Sequence, residues 1–182
     1  MTKIAEVTKI ARQYFDANDW NFHVLKVREN ALTLAKTHKA SREVVELAAL
    51  LHDVARAKDK HNDENHHLIG AKYAAKLLLR LGYSPKIVSA VVHCIEAHRG
   101  SKDLKPRTIE AKIMANADAM SHFDMMPLFF YWRRSENAFP EIIPWLEKKL
   151  ERDWKKKLTL PGAKKIVAQK YKAIQLLLSA LK

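Results

Sequence analysis

Apolar side chains recur at intervals of three and four residues along almost the whole chain, and little interrupts them. Residues 3–17 set the pattern with Ile4, Val7, Ile10, Ala11, Tyr14 and Phe15, the stripe of one helix face. Only 4 glycines and 6 prolines punctuate the 182 residues, too few for the turns of an all-β fold. No strand pattern, repeat or low-complexity tract appears. With 48% of its residues apolar, a chain of this length can fill one core. The sequence therefore predicts an all-α, single-domain helical bundle.

Asp19 stands where it can cap a second helix running through His23 to about Lys36. Ser41 caps a third, whose run Val44, Val45, Leu47, Ala48, Leu50, Leu51 is apolar nearly all round and therefore central; it ends at His52-Asp53. Residues 57–63 are polar and read as a loop, and a fourth helix spans about 64–81 with Gly82 just beyond its end. Ser84-Pro85, a cap followed by proline at the first helical position, starts a fifth helix that runs to about His98 and stops at Gly100. A sixth covers 107–121. The segment 125–139 is aromatic-rich and punctuated by Pro127 and Pro140, which fits a short helix or a covering segment. Two more helices, about 141–157 and 162–181, flank Leu160-Pro161-Gly162. The expected division is a core over residues 1–140 and a helical extension over 141–182 packed on the same domain.

That extension carries most of the charge. The chain has a formal net charge of +13, and residues 147–182 hold 11 Lys and Arg against 3 acids. Such a bias draws polyanions, whether nucleotide, nucleic acid or anionic lipid. It equally describes the solvated face of an amphipathic cover with Ile166, Val167, Tyr171, Ile174 and Leu178 turned inward. The single cysteine, Cys94, excludes an intramolecular disulfide and any multi-cysteine metal site, and fits a reducing compartment. Amid Val91, Val92 and Ile95 it reads as a small buried hydrophobe. With no signal-peptide pattern and no apolar run near 18 residues, the expectation is a cytoplasmic protein without a membrane partner, monomeric or homodimeric.

Histidine is the more specific clue: there are 9, and six of them lie between His52 and His98. His23, His52, His66 and His98, with Asp53 and Asp118, all fall at helix ends or in first and last turns, where several helices of a bundle can converge on one pocket. Imidazole with carboxylate suits Mn, Fe, Co or Ni, with Mg or Zn also possible, rather than Ca. Adjacent residues in a helix point about 100° apart, but at a frayed helix end Asp53 can turn back so that both members of the pair reach one ion. A charged Asp53 directly after Leu50-Leu51 is costly unless compensated, and an ion compensates it.

The ordered set of His23, then Leu50-Leu51-His52-Asp53, then Asp118 within Asn116-Ala117-Asp118-Ala119 resembles the HD-domain superfamily of metal-dependent phosphohydrolases. Asp19-Trp20-Asn21-Phe22-His23 followed by Lys26-Val27 looks like its first motif, with Lys26 where arginine is common, and Glu46 through Asp53 looks like its second. The likeness covers about residues 15–125. It implies that His23, His52, Asp53 and Asp118 bind a divalent ion, with Asp53 ligating or bridging and helping to orient the attacking water. His66, four residues before Gly70-Ala71, and His98, in Glu96-Ala97-His98-Arg99, resemble the additional histidines of two-metal members. This pattern is similar to the branch that cleaves diadenosine tetraphosphate, with Arg56 where that branch has lysine. The implied activity is hydrolysis of a phosphoester or phosphoanhydride in a nucleotide or dinucleotide by water activated on one or two metal ions.

Arg56, Lys58 and Arg99 are the nearest cations in sequence and are assigned to substrate phosphates. His67 competes with His66 for the second ion, and His93 can approach it too. His38, His61 and His122 read as exposed or supporting groups. Asp59, Asp63 and Glu64 do not match the acidic spacing of single-metal nucleotidases. Phe129, Phe130, Tyr131, Trp132 and Trp145 read as an aromatic cover on the core, or as a stacking surface for a base over the pocket. The alternative function is a nucleic-acid-binding or nuclease-like protein using residues 147–182 as an electrostatic track.

Overall fold

The computed structural model describes residues 2–59, 64–99, 104–134 and 138–181; His61, Asp63 and Gly100, invoked above, lie outside these. The described residues contain no strand. The helices are α1 (Lys3–Arg12), α2 (Ala17–Asp19), α3 (Leu25–His38), α4 (Arg42–Leu51), α5 (Val54–Lys58), α6 (His66–Arg80), α7 (Pro85–Ala97), α8 (Ile109–Ser121), α9 (Met126–Arg134), α10 (Phe139–Arg152) and α11 (Ala163–Ala180). Two wider π-helical segments, Trp20–Val24 and Asp153–Lys157, lead into α3 and out of α10.

The core forms around α4, all of whose residues from Val44 to Leu51 are buried, as its all-round apolar pattern requires. It packs on α3, α7 and α8, and α3 and α7 also pack on α8. Glu46 is the one charged residue buried on α4, and Arg28 of α3 neutralises it from Nε (2.9 Å) and Nη2. The expected caps at the starts of α4 and α7 form: Ser41 Oγ accepts from Val44 N–H and Ser84 Oγ from Ile87 N–H, each at 3.4 Å. Gly82, with φ of +73°, occupies the left-handed position after α6.

Local differences have local causes. The first helix ends at Arg12, whose guanidinium donates to the Phe15 carbonyl, and Asp16 rather than Asp19 is the next cap, accepting from Asp19 N–H at 2.8 Å. The polar loop expected from residue 57 begins later, because Val54 and Ala55 are buried and hold α5 against α6. On α11 the inward stripe is Ala163, Val167, Ile174 and Leu178; Ile166 is 45% exposed and faces out, so its expected burial is wrong by one helix position. No helix among the described residues is long and apolar enough to cross a membrane.

Candidate metal centre

His23 sits in the first π segment, whose wider turn buries it while leaving neighbouring Phe22 47% exposed. His52 ends α4 in helical conformation, its N–H donating to the Ala48 carbonyl at 2.9 Å. Asp53 departs from the helix with φ of −106° and ψ of 9°. That single backbone turn cancels the divergence of adjacent side chains. Gly70 then lets α6 approach closely: a Cβ there would stand 3.2 Å from the His52 carbonyl oxygen. His66 opens α6, His98 ends α7 and Asp118 lies on α8.

These six residues form two buried trios, His23–His52–Asp118 and Asp53–His66–His98, with the ligand-capable atoms of each trio within 4.8 Å of one another. Asp53 joins the two. Its Oδ2 lies 3.3 Å from His23 Nε2 and 3.6 Å from His52 Nε2, and its Oδ1 lies 3.3 Å from His66 Nε2 and 3.7 Å from His98 Nε2. Asp53, expected to ligate one ion or to bridge, has its carboxylate facing both trios.

Hydrogen bonds fix which ring nitrogens point inward. His52 Nδ1–H donates to the Ala49 carbonyl (2.9 Å) and His98 Nδ1–H to the Ile95 carbonyl (2.6 Å), since a carbonyl can only accept. Ser121 Oγ donates to the Asp118 carbonyl (2.7 Å) and so accepts from His23 Nδ1–H (3.0 Å). Each Nε2 is therefore left as a bare lone pair. Yet His23 Nε2 lies 3.1 Å from His52 Nε2, and His66 Nε2 lies 3.2 Å from His98 Nε2. Two nitrogens bound at right angles about 2.1 Å from one ion stand about 3 Å apart. Among the described residues, buried Asp53 Oδ1 has no hydrogen-bond donor, which calls for a cation. Nitrogen and carboxylate donors converging in this way fit divalent transition ions.

The electrostatics agree with the lone-pair assignment for His52 and His98. Burial holds His52 below the ordinary imidazole range and takes His98 down to about 3, so both stay neutral. His23 is also penalised by burial, but the Asp53 and Asp118 carboxylates outweigh this and raise it. Burial works against ionised Asp53 and Asp118 as well; the imidazoles around both, and Lys157 beside Asp118, nevertheless hold them well below the carboxylate range.

Ser121 was not legible as a site residue. Ser121→Ala removes the acceptor that fixes the His23 tautomer and is expected to weaken ion binding at the first trio about 10- to 100-fold, leaving the second unchanged. Competitive Mn or Co titration checks this; equal weakening at both trios would contradict it.

Beyond Asp118 lies a ring of charge that the sequence did not reveal. His122 stacks on His23 (centroids 6.2 Å) and lies 3.8 Å from Asp118 Oδ1. Its Nδ1 donates to the fully buried Asp153 at 2.7 Å, and burial takes its pKa down to about 4. Asp153 also receives Lys149 Nζ at 3.4 Å and Arg152 Nη2 at 3.2 Å. Lys157 Nζ lies 3.8 Å from both Asp153 Oδ1 and Asp118 Oδ2. The basic segment after residue 146, separate from the His-Asp residues in sequence, thus reaches the first trio.

Of the cations assigned to phosphates, Arg56 lies 3.6 Å from Asp53 Oδ2 with about half its side chain exposed. Lys58 is exposed at the end of α5, and Arg99 donates to the Glu64 carbonyl at 2.6 Å. His67 is buried against the His66 ring but joins neither trio. His93 Nε2 accepts from Arg107 N–H (3.0 Å), and His38 faces the Pro161 carbonyl. Asp59 and Glu64 are exposed. Cys94 is fully buried, its thiol pushed up to about 12 by burial. Phe129 is buried within reach of His122, Trp132 and Trp145, a cover on the His122 side of the centre, whereas Tyr131 is 71% exposed.

Comparison with known proteins gives a consistent answer. The HD domain family matches residues 22–122, which contain both trios. Ribonuclease Y of Chloroflexus aurantiacus is 38% identical over 99 residues, 54% of this chain and 18% of that protein. Ribonuclease Y of a Roseiflexus species is 44% identical over 78 residues, 43% of this chain and 13% of that protein. The chain thus spans less than a fifth of the length of these relatives. A crystal structure described as a predicted HD superfamily hydrolase, from an uncultured Thermotogales bacterium, superposes with a TM-score of 0.65 at 25% identity, covering 97% of this chain and 90% of that one.

Proposed function

The chain belongs to the HD domain family, and from that premise we propose that it is a metal-dependent phosphohydrolase acting on a phosphoester or phosphoanhydride of a nucleotide or dinucleotide. The observation that carries this reading is Asp53, whose two oxygens face two separate histidine-containing trios. His23, His52 and Asp118 would hold one divalent ion and His66 and His98 a second, with Asp53 between them. When bound, such ions supply Lewis acidity, drawing charge from phosphoryl oxygens and making water more acidic. The protein's own part is positional. His52 and His98, kept neutral by burial and fixed by the Ala49 and Ile95 carbonyls, turn their lone pairs inward, Ser121 orients the His23 ring, and the ionised Asp53 carboxylate can accept a hydrogen bond from the attacking water and orient it. Arg56, beside Asp53, offers a guanidinium to a phosphate oxygen.

A second reading, cleavage of a polynucleotide phosphodiester, is favoured by the Ribonuclease Y relatives and by the basic residues brought up to Asp118. In either reading residues 141–182 serve as part of the same domain, since α10, the second π segment and α11 pack on α8 and α9 or on one another.

Chelation followed by reloading with Mn, Co, Ni or Fe tests the proposal, using nucleotides, diadenosine tetraphosphate, a nitrophenyl phosphodiester and single-stranded RNA as substrates. The expected result is turnover lost on chelation and restored by one of the ions. No turnover with any ion and substrate would refute the hydrolase reading, and the preferred substrate separates its two forms.

A further inference from the structure

The cation facing Asp118 comes from the second π segment, far along the chain from the His-Asp pair. Lys157 has only 12% of its side chain exposed, and its Nζ stands 3.8 Å from Asp118 Oδ2 and 3.8 Å from Asp153 Oδ1. These separations make ion pairs but are too long for hydrogen bonds. Among the described residues, no acceptor lies at hydrogen-bond distance from this ammonium, which carries three donors. Asp153 cannot satisfy it alone, because that carboxylate already receives His122, Lys149 and Arg152. Asp118 is in turn shared, with Oδ1 toward His23 and His122 and Oδ2 toward Lys157. With a divalent ion at each trio, the ions' charge would exceed that of Asp53 and Asp118, and Lys157 would face a net positive site. An anion placed between them would satisfy both the ion and the idle N–H groups.

We propose that Lys157 forms the anion subsite of this centre, binding a phosphoryl group between its ammonium and the first trio, with Asp153 as the residue that positions it. The ligand class is phosphate, free or as an ester or anhydride. Lys148, Lys155 and Lys156, with Trp145 and with Glu151 paired to Lys155, line an open recess of about 620 Å³ on α10 and the second π segment, a basic surface that attracts anions to this part of the chain. The substrate role of the subsite rests on the hydrolase reading above, but phosphate binding can be measured apart from turnover.

The test is calorimetric titration of inorganic phosphate into the Mn-loaded full chain, with Mn content measured in parallel. The native protein should bind phosphate. Lys157→Met and Lys157→Gln should weaken that binding roughly 10- to 100-fold, the worth of charged hydrogen bonds, with Mn content unchanged; Lys157→Arg should stay within about 3-fold of native. The proposal is overturned if the native protein does not bind phosphate, if the neutral variants bind it as tightly as native, or if they lose Mn together with phosphate. Should this binding pattern hold while no substrate is turned over, the subsite stands and the hydrolase reading alone fails.

Discussion

Asp53→Ala is expected to reduce turnover by about 10³-fold or more and to change the two ion sites unequally. Without the carboxylate, the second trio keeps only His66 and His98, and two imidazoles do not hold an ion against water; that ion should be lost outright. The first trio keeps His23, His52 and Asp118 but loses an oxygen 3.3 Å from His23 Nε2, so its affinity should fall about 10- to 100-fold. His98→Ala is the informative contrast: it removes a ligand from the second trio only and should leave the first ion bound with native affinity. Metal analysis after dialysis, with Mn titration of each variant, reads both numbers. An Asp53→Ala protein that still binds two ions, or turns over within tenfold of native, would show that the carboxylate does not join the sites.

Most of what the sequence revealed was local. Ser41 and Ser84 cap their helices because a cap needs only a hydroxyl and a donor three residues on. The central place of α4 followed from apolar residues on all its faces. The six residues that gather in the two trios were legible as candidates because their order and helix-end positions are properties of the chain. What remained hidden depends on the third dimension. A bridging Asp53 was among the expectations, but the backbone turn that aims its two oxygens at two trios is encoded by no spacing. Ser121 looks like any small helical residue until its oxygen is seen between His23 and the Asp118 carbonyl. Asp153 with Lys149 and Lys157 at four-residue spacings reads as ordinary surface ion pairs on a basic helix. The fold brings that helix to α8 and buries the pairs, and charge that looked like a solvated tail becomes one wall of the site.

Asp153→Asn should therefore behave as a core mutation although it lies in the most basic part of the chain. The native carboxylate is fully buried and compensates Lys149 and Lys157, whose side chains are 13% and 12% exposed. Removing one partner of a buried ion pair costs about 3–5 kcal/mol because the other charge is left unpaired. The low end applies here, since burial already takes Lys149 down to about 8 and it can shed its proton. A loss of about 3 kcal/mol corresponds to a melting temperature lower by roughly 6–12 °C for a chain of this size. The sign of the pH dependence follows from His122, Lys149 and Lys157, which outweigh burial and hold the folded carboxyl below its ordinary value. Its contribution is full above about pH 4 and is lost as pH falls further, so the gap between native and variant should narrow in acid. Adding Lys149→Met to Asp153→Asn removes one of the stranded charges and should recover part of the loss. Thermal melts of native, single and double variants at pH 7 and at about pH 3, below the unfolded carboxyl's ordinary value, measure all three effects. A shift under about 2 °C at pH 7 would mean that Asp153 is not the hub of this wall, and would leave Lys157 without the group that positions it.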